Sequence, residues 1–562
     1  MTSKAQLLTD PFLQLPTENS VRVVWFTEFA GSSHTVTYGK ELNQITVAIS
    51  NKLSRTCEDQ KSQLADLPQQ NQTEQYPTKR DIWRHEAEVS ELTLGVRVPY
   101  FVTSVREDDI SVSSAVFSLA AKPVTGAPLK ILLTSDHQLQ PMVSANLQKV
   151  AETIGQVDAV FHAGDMVNVP DRASEWFDDS RGGAFFPCLQ GCANYELEKN
   201  GIKTVYTGGQ LIQNAPLFAT IGNHEVMGRF SSENSLNKQF RDAFPRSAAE
   251  QVYKNYADLL NPDDNVNIRA NWLKDNSFNT DTYEEIFSLP ESKQGEKRYY
   301  SVIFGDVYLV VLYVTAVWRS HNLDPTIQGR YQERQQDLNN PENWGYGQHI
   351  FEPIVNGSEQ YLWLETELNS TEFKQAKYKV VMLHHPPHTL GGNIVPAYTD
   401  PVQVIERDAD GSIKATRYEY PKNADYITRD LVPLLEQAGV QLVFFGHSHL
   451  WNRFVSSSGT NFLETSNVGN SYGAAWGNNQ RPVPIGYQEE YTATGDPYGL
   501  EPIVPTIAPL IGEDGQTLPY IASNDITVFS ILDTETGIVS SYRFDTSKPN
   551  SEVVKFDEFE LK

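Results

Sequence analysis

Five short stretches of this 562-residue chain end in side chains that can hold a metal or move a proton. In "VFFGHSHL" (443–450) an apolar run closes on Gly446 and then on His447 and His449, one residue apart. On an extended backbone that spacing sends both imidazoles to one side. Taken alone the pair fits a polar turn or a metal site, since imidazole suits zinc, copper, iron and nickel. The other four stretches decide. "LKILLTSDHQ" ends in Asp136, His137 and Gln138, and "VDAVFHAGD" ends in Asp165. "PLFATIGNHE" ends in Asn223, His224 and Glu225, and "YKVVMLHHPPH" in His384, His385 and His388. Eight of the twelve histidines fall in these five stretches, which neither core nor surface placement would produce at random. Carboxylates and imidazoles collected in one place are metal-competent groups. The set reads as metal binding.

The elements that must position these residues are legible from hydrophobic patterning. From about residue 128 apolar runs alternate with helical stretches, the pattern of an α/β architecture. In open α/β sheets ligands bind at the carboxyl ends of the strands. Five runs that each finish in ligating residues can therefore converge on one crevice. Ser358 is expected to cap a helix with Tyr361, Leu364 and Leu368 on one face. "NADYITRDLVPLLEQAGV" aligns Ile427, Leu431, Leu434, Leu435 and Ala438, closes on Gly439 and feeds the strand before His447; Pro433 is expected to kink it. "VYLVVLYV" (307–314) reads as a buried strand and "ITVFSILDTETGIVSSYRF" (526–544) as a hairpin. Gly164, Gly222 and Gly446 would let the backbone come close to the ligands or take unusual torsions.

Ahead of this, residues 7–122 carry runs rich in Val, Thr and aromatics, spaced as in a β-sandwich of about 100 residues. The stretch 51–81 looks like an exposed insertion within it, and "KPVTGAP" (122–128) like a boundary. The expected division is a sandwich over 1–124 and an α/β domain over 125–562. Three long insertions, 228–300, 391–425 and 468–520, are expected to wall a pocket.

Composition narrows the partners. Lys and Arg number 45 against 71 Asp and Glu, a net charge of −26, which argues against nucleic-acid polymers and anionic membranes. A small anionic substrate stays open, because a bound metal dominates its local field. No apolar run has the length of a membrane span, and "MTSKAQLLTDPFLQL" lacks the basic and apolar segments of a secretory leader, so a cytoplasmic protein is expected. Cys57, Cys188 and Cys192 make no disulfide framework.

Asp136, Gly164-Asp165, Gly222-Asn223-His224-Glu225, His384 and Gly446-His447-Ser448-His449, in that order, resemble the calcineurin-like metallophosphoesterases over about 128–545. A β-sandwich ahead of them is similar to the arrangement in plant-type purple acid phosphatases, whose leading domain is fibronectin-III-like. The resemblance implies a four-layer α/β/β/α sandwich with a dinuclear metal site at the sheet edge. It implies that Asp136, Asp165 and His449 hold one divalent ion (Mn, Zn or Fe). Asp165, Asn223, His384 and His447 would hold the second, so that Asp165 bridges. His385 is the alternative to His384; the family's spacing to Pro386 favours His384.

Two positions depart from the pattern. The family's tyrosine is here Asn168, so tyrosinate-bound ferric iron is not expected. A common histidine is here Gln138, whose oxygen could ligate weakly or hold a metal-bound water. Two cations about 3.5–4 Å apart can generate hydroxide near neutral pH and clamp the attacking and leaving oxygens. The implied catalytic residues are Asp165 and His224, the latter as general acid with Glu225 orienting it; His137, His388 and Arg229 are candidates for contact with the substrate. The implied function is hydrolysis of a small phosphate ester, as a phosphomonoesterase. A phosphodiesterase and a non-catalytic metal-binding relative are the alternatives.

Overall fold

The computed structural model describes residues 6–64, 76–318, 348–388, 390–393, 397–400, 402–476, 501–502, 515, 518 and 520–562. The amino-terminal strands pair into two antiparallel sheets. One holds Phe12–Gln14, Val21–Thr27, Trp83–Val89 and Ile49–Lys52; the other is built on Ser33–Tyr38 and Val98–Val105. This is the all-β sandwich expected, consistent with a fibronectin-III-like domain. Alternation along Val21–Thr27 explains how it sits on the rest of the chain. Val21, Val23 and Trp25 enter the sandwich core with Val36, Tyr100 and Val102. Their neighbours Val24 and Phe26 point the other way, with Phe12, into the core of the following domain.

One sheet therefore serves two cores, and the junction is an aromatic cluster. The Phe186 ring lies 5.0 Å from that of Phe12, 5.5 Å from Phe26 and 5.6 Å from Phe177. Truncating Phe186 to alanine should leave a cavity there and cost about 3–5 kcal/mol. Denaturant unfolding of Phe186→Ala checks this; an unchanged midpoint would mean that the junction contributes little.

Within the stretch 51–81, of which residues 65–75 lie outside the described residues, the part 53–62 is not the exposed flap that its polar composition suggested. Among its described residues Leu53, Thr56, Cys57, Glu58, Asp59 and Ser62 are buried. Glu58 accepts from both the backbone and the hydroxyl of Ser174 at 2.9 Å, at the start of the helix Ala173–Phe177. Cys57 N–H donates to the Asp171 carbonyl. Polar residues are buried here because each finds a polar partner across the junction, which composition does not reveal.

Among the described residues the α/β part is built on two large sheets. The first runs Leu217–Ala219, Ala159–His162, Lys130–Thr134, Ile526–Asp533, Ile538–Asp545, Val554–Glu560, the first three parallel. The second includes Val307–Val311, Tyr378–Met382, Leu442–Phe445 and Asn461–Thr465 as parallel neighbours. The two sheets touch through buried hydroxyls, Thr465 to Ser530 at 2.9 Å, and through Trp451 Nε1–H donating to Ser541 at 3.1 Å. Helices complete the four-layer α/β/β/α sandwich. Ser358 caps Glu359–Asn369 through the Tyr361 N–H, and Tyr361, Leu364 and Leu368 are buried. Around Pro433, where a kink is expected, the helix changes its winding. A π-turn over Ile427–Leu431 precedes the α-turns Val432–Gln437 and takes up the missing proline N–H. Gly439 then ends it at φ +71°.

The insertion 228–300 is helical, including Leu236–Phe240 and Arg246–Leu260. Within 391–425 lies a hairpin of Val402–Arg407 and Ile413–Glu419. Most of 468–520 falls outside the described residues. Among the described residues no helix is long and apolar enough to cross a membrane. The three cysteines are free.

Candidate metal centre

The strands Lys130–Thr134, Ala159–His162, Leu217–Ala219, Tyr378–Met382 and Leu442–Phe445 are each entirely or almost entirely buried. Burial on both faces is why they read as continuous apolar runs. Their carboxyl ends open on one edge, and there the polar residues collect. Ligand atoms of Asp136, Asp165 and His384 lie within 4.8 Å of one another, as do those of His384, His385 and His447.

The backbone at these ends is strained. Asp136 (φ +56°), Asp165 (+58°), His447 (+80°) and His449 (+58°) are all left-handed, a conformation that non-glycine residues take at a cost of about 1–3 kcal/mol each. The extended geometry expected for His447 and His449 is thus replaced by a tight turn after Phe445. Two glycines make the close approach possible. A Cβ on Gly222 would sit 2.2 Å from Asp165 Oδ1, and one on Gly446 would sit 2.3 Å from Asp136 Oδ2.

Hydrogen bonds aim the donors. His384 Nδ1–H donates to the Ala163 carbonyl at 2.7 Å, which leaves Nε2 facing inward. That Nε2 stands 3.1 Å from Asn223 Oδ1, 3.2 Å from His447 Nδ1 and 3.3 Å from Asp165 Oδ2. His449 is held the same way, through Nδ1 and the Asn470 carbonyl at 3.2 Å, with Nε2 3.4 Å from Asp136 Oδ1. Asp136 is steadied by the His447 N–H at 3.0 Å and the Ser135 hydroxyl at 2.5 Å. Glu225 does not touch the His224 ring. Its carboxylate accepts from the backbone N–H groups of Asp165, Met166 and Gly222 at 2.7–2.8 Å and so locks two strand ends together.

The electrostatics call for positive charge. Asp136 and Asp165 are buried, and among the described residues their only ion-pair partners are His449 and His384. Burial opposes the charge on Asp165, but His384 outweighs it and holds the carboxyl below its usual range. Burial likewise opposes charge on His384, and Asp165 reverses this, drawing the ring up. His385 and His447 are pushed toward the neutral form, first by burial and then by neighbouring histidines. Neutral imidazole is the ligand form. Asn223 Oδ1, His384 Nε2, His447 Nδ1 and Asp165 Oδ2 face one another, and a divalent cation among them, which would take the place of the proton that Asp165 draws onto His384, fits in chemistry and in charge.

Other residues named from sequence fall as follows. Gln138 presents its amide N–H, not its oxygen, to Asp165 Oδ2 at 2.8 Å, and the oxygen turns toward Asn470. His385 stacks on His447 with ring centroids 3.9 Å apart and, among the described residues, finds no hydrogen-bond partner for its ring. His224 Nδ1–H donates to the Asn168 carbonyl at 2.8 Å, its ring lies 5.1 Å from that of Phe240, and its backbone N–H donates to Asp165. His137 is buried against Thr134 and His162, away from the donor cluster. His388 is spent on Leu390 N–H and Asn452, and Arg229 on Asp242. Sequence reasoning missed Ser135, the Asn168 carbonyl and Glu464, whose carboxylate accepts from Ser448 N–H between the two histidines at 2.7 Å. A carbonyl's role leaves no trace in residue identity, and a lone Glu in a strand carries no motif.

The family model for calcineurin-like phosphoesterases matches residues 129–450. No curated protein matches the chain. Among solved structures, the chain is similar to a purple acid phosphatase isolated from yellow lupin (Lupinus luteus) seeds. The two are 13% identical with a TM-score of 0.53, over 98% of this chain and 73% of that one. It also aligns with GAP50, the anchor in the inner membrane complex of Plasmodium, at 8% identity and a TM-score of 0.32, over 77% of this chain and 90% of that one.

Proposed function

This chain belongs to the calcineurin-like phosphoesterases, metal-dependent hydrolases of phosphate esters, and on that premise we propose that it is a phosphomonoesterase acting on a small substrate. The observation that carries the reading is the convergence of donor atoms of Asn223, His447 and Asp165 to 3.1–3.3 Å from His384 Nε2. Those four residues would hold one divalent ion; Asp136 and His449 would hold a second together with Asp165. Bound there, a pair of ions lowers the pKa of water and neutralises charge on the phosphoryl oxygens. The chain's own part is to orient and to move a proton. His224, fixed through Nδ1 by Asn168, keeps Nε2 free of hydrogen bonds among the described residues, so that this atom can carry a proton to the departing oxygen. The monoester assignment leans on the likeness in fold to a purple acid phosphatase, which extends through the sandwich. In this reading the chain divides near 124/125, and the sandwich is a fixed wall bonded to the domain that bears the site.

Metal analysis together with an ester panel tests the assignment. Two ions per chain and faster turnover of p-nitrophenyl phosphate than of bis(p-nitrophenyl) phosphate are expected. Preference for the diester, or inactivity with both ions bound, would overturn it.

Asn168 bears on which metals are used. Its side chain donates to the Gln138 carbonyl at 2.7 Å and offers no phenolate. The protein should therefore be colourless, with Mn, Zn or ferrous iron. An absorption band of a ferric phenolate in the isolated enzyme would contradict this.

A further inference from the structure

The Asn168 carbonyl and the Phe240 ring, which meet the His224 ring, trace back to one buried ion cluster, and one member of that cluster comes from the amino-terminal segment. Asp59 lies 113 positions before Arg172, in the stretch that links two strands of the sandwich. Its Oδ1 accepts from Arg172 Nη2 at 3.0 Å, and its Oδ2 accepts from the Leu236 N–H at 3.0 Å. Arg172 in turn donates to Glu175 at 2.5 Å and to Asn237 at 2.6 Å. Side-chain exposures of 0% for Asp59, 5% for Arg172 and 4% for Glu175 put the whole cluster out of water.

Two arms leave it. In the first, Glu175 Oε2 accepts from the backbone N–H groups of Asn168 (2.6 Å) and Val169 (2.9 Å), which sets the Asn168 carbonyl against His224 Nδ1. In the second, Asp59 and Arg172 hold the first residues of the helix Leu236–Phe240, whose last residue, Phe240, packs on the His224 ring. A buried ion cluster is a poor device for stability alone, because apolar residues of like volume do as well. It does define one geometry, and here the geometry ends on one imidazole.

We propose that Asp59 is a positioning residue for His224: through Arg172 and Glu175 it fixes the carbonyl and the aromatic ring that hold the imidazole, so the amino-terminal segment completes the active site. The consequence for turnover rests on the reading of His224 as proton donor; the positioning itself does not. The test uses the full-length, metal-loaded enzyme carrying Asp59→Asn, with His224→Ala and the double variant as partners. Metal content and KM should be unchanged. Turnover of an alkyl phosphate should fall about 10–100-fold, part of what a positioned acid contributes, while that of p-nitrophenyl phosphate falls much less. In the His224→Ala background Asp59→Asn should add nothing, since residues acting through one group are not additive.

With labelled histidine, the Nδ1–H resonance of His224, assigned by its absence in His224→Ala, should be lost or broadened in Asp59→Asn. If that resonance is unchanged, or if Asp59→Asn costs as much without His224 as with it, the proposal is overturned. If the resonance is lost but His224→Ala shows no dependence on leaving group, positioning stands and the acid role fails. Should Asp59→Asn not fold, Glu175→Gln cuts the same chain nearer His224 and is judged by the same criteria.

Discussion

Asp165→Ala is expected to lose both metal ions and all measurable hydrolysis. In the proposed arrangement Asp165 is the carboxylate shared by the two sites, with Oδ2 3.3 Å from His384 Nε2 and Oδ1 accepting the His224 N–H at 2.8 Å. Removing it takes an anionic donor from each ion at once. It also leaves Asp136 as the only remaining carboxylate of the proposed ligand set. Without the ions nothing in the cluster can replace them, and uncatalysed phosphate-ester hydrolysis is among the slowest reactions known. His449→Ala should behave differently and mainly weaken the ion on the Asp136 side. Because Asp165 sits at φ +58°, alanine also brings backbone strain, so Asp165→Asn is the necessary control: asparagine tolerates that conformation and keeps its shape. Metal per chain and turnover, measured on both variants, check the prediction. An Asp165→Asn enzyme that keeps two ions and a normal rate would remove Asp165 from the bridging position.

The candidate site was legible because its strands are buried on both faces. That burial turns each strand into an unbroken apolar run, and the residue that ends the run stands out against it. Five such ends, from Asp136 to His449, could be read without knowing how the sheets pair. What sequence left hidden depends on long-range or backbone contacts. His447 and His449 reach His384 and Asp136 through left-handed torsions rather than an extended chain, and nothing in His-x-His distinguishes the two. Glu225 beside His224 invited a side-chain pair, yet three backbone N–H groups lie within reach of its carboxylate and claim it. The stretch 51–81 is polar and reads as solvent-facing, but Glu58 and Asp59 are buried on partners more than a hundred positions away. No local pattern encodes such pairings, so composition alone places them at the surface. The same limit applies to Gln138: its identity suggested an oxygen ligand, and only the surrounding acceptors decide that the N–H faces Asp165.

His224→Ala should lower turnover about 10²–10⁴-fold, the usual range for a positioned general acid. Metal content should stay nearly the same, because the donor at that strand end is Asn223, 3.1 Å from His384 Nε2, while the His224 ring points instead to Asn168 and Phe240. The size of the loss should depend on the leaving group. An alkoxide needs a proton as it departs, whereas p-nitrophenolate is stable without one. The alkyl phosphate should therefore lose more than p-nitrophenyl phosphate on the same variant, with metal measured in the same sample. The alternative is that His224 binds the phosphoryl oxygens, an interaction that both substrates share. Equal losses at full metal occupancy would assign that role and reject proton donation. Loss of an ion would mean that the imbalance lies in the ligand set, since the backbone N–H of His224 also supports Asp165 and a shifted turn would loosen that carboxylate.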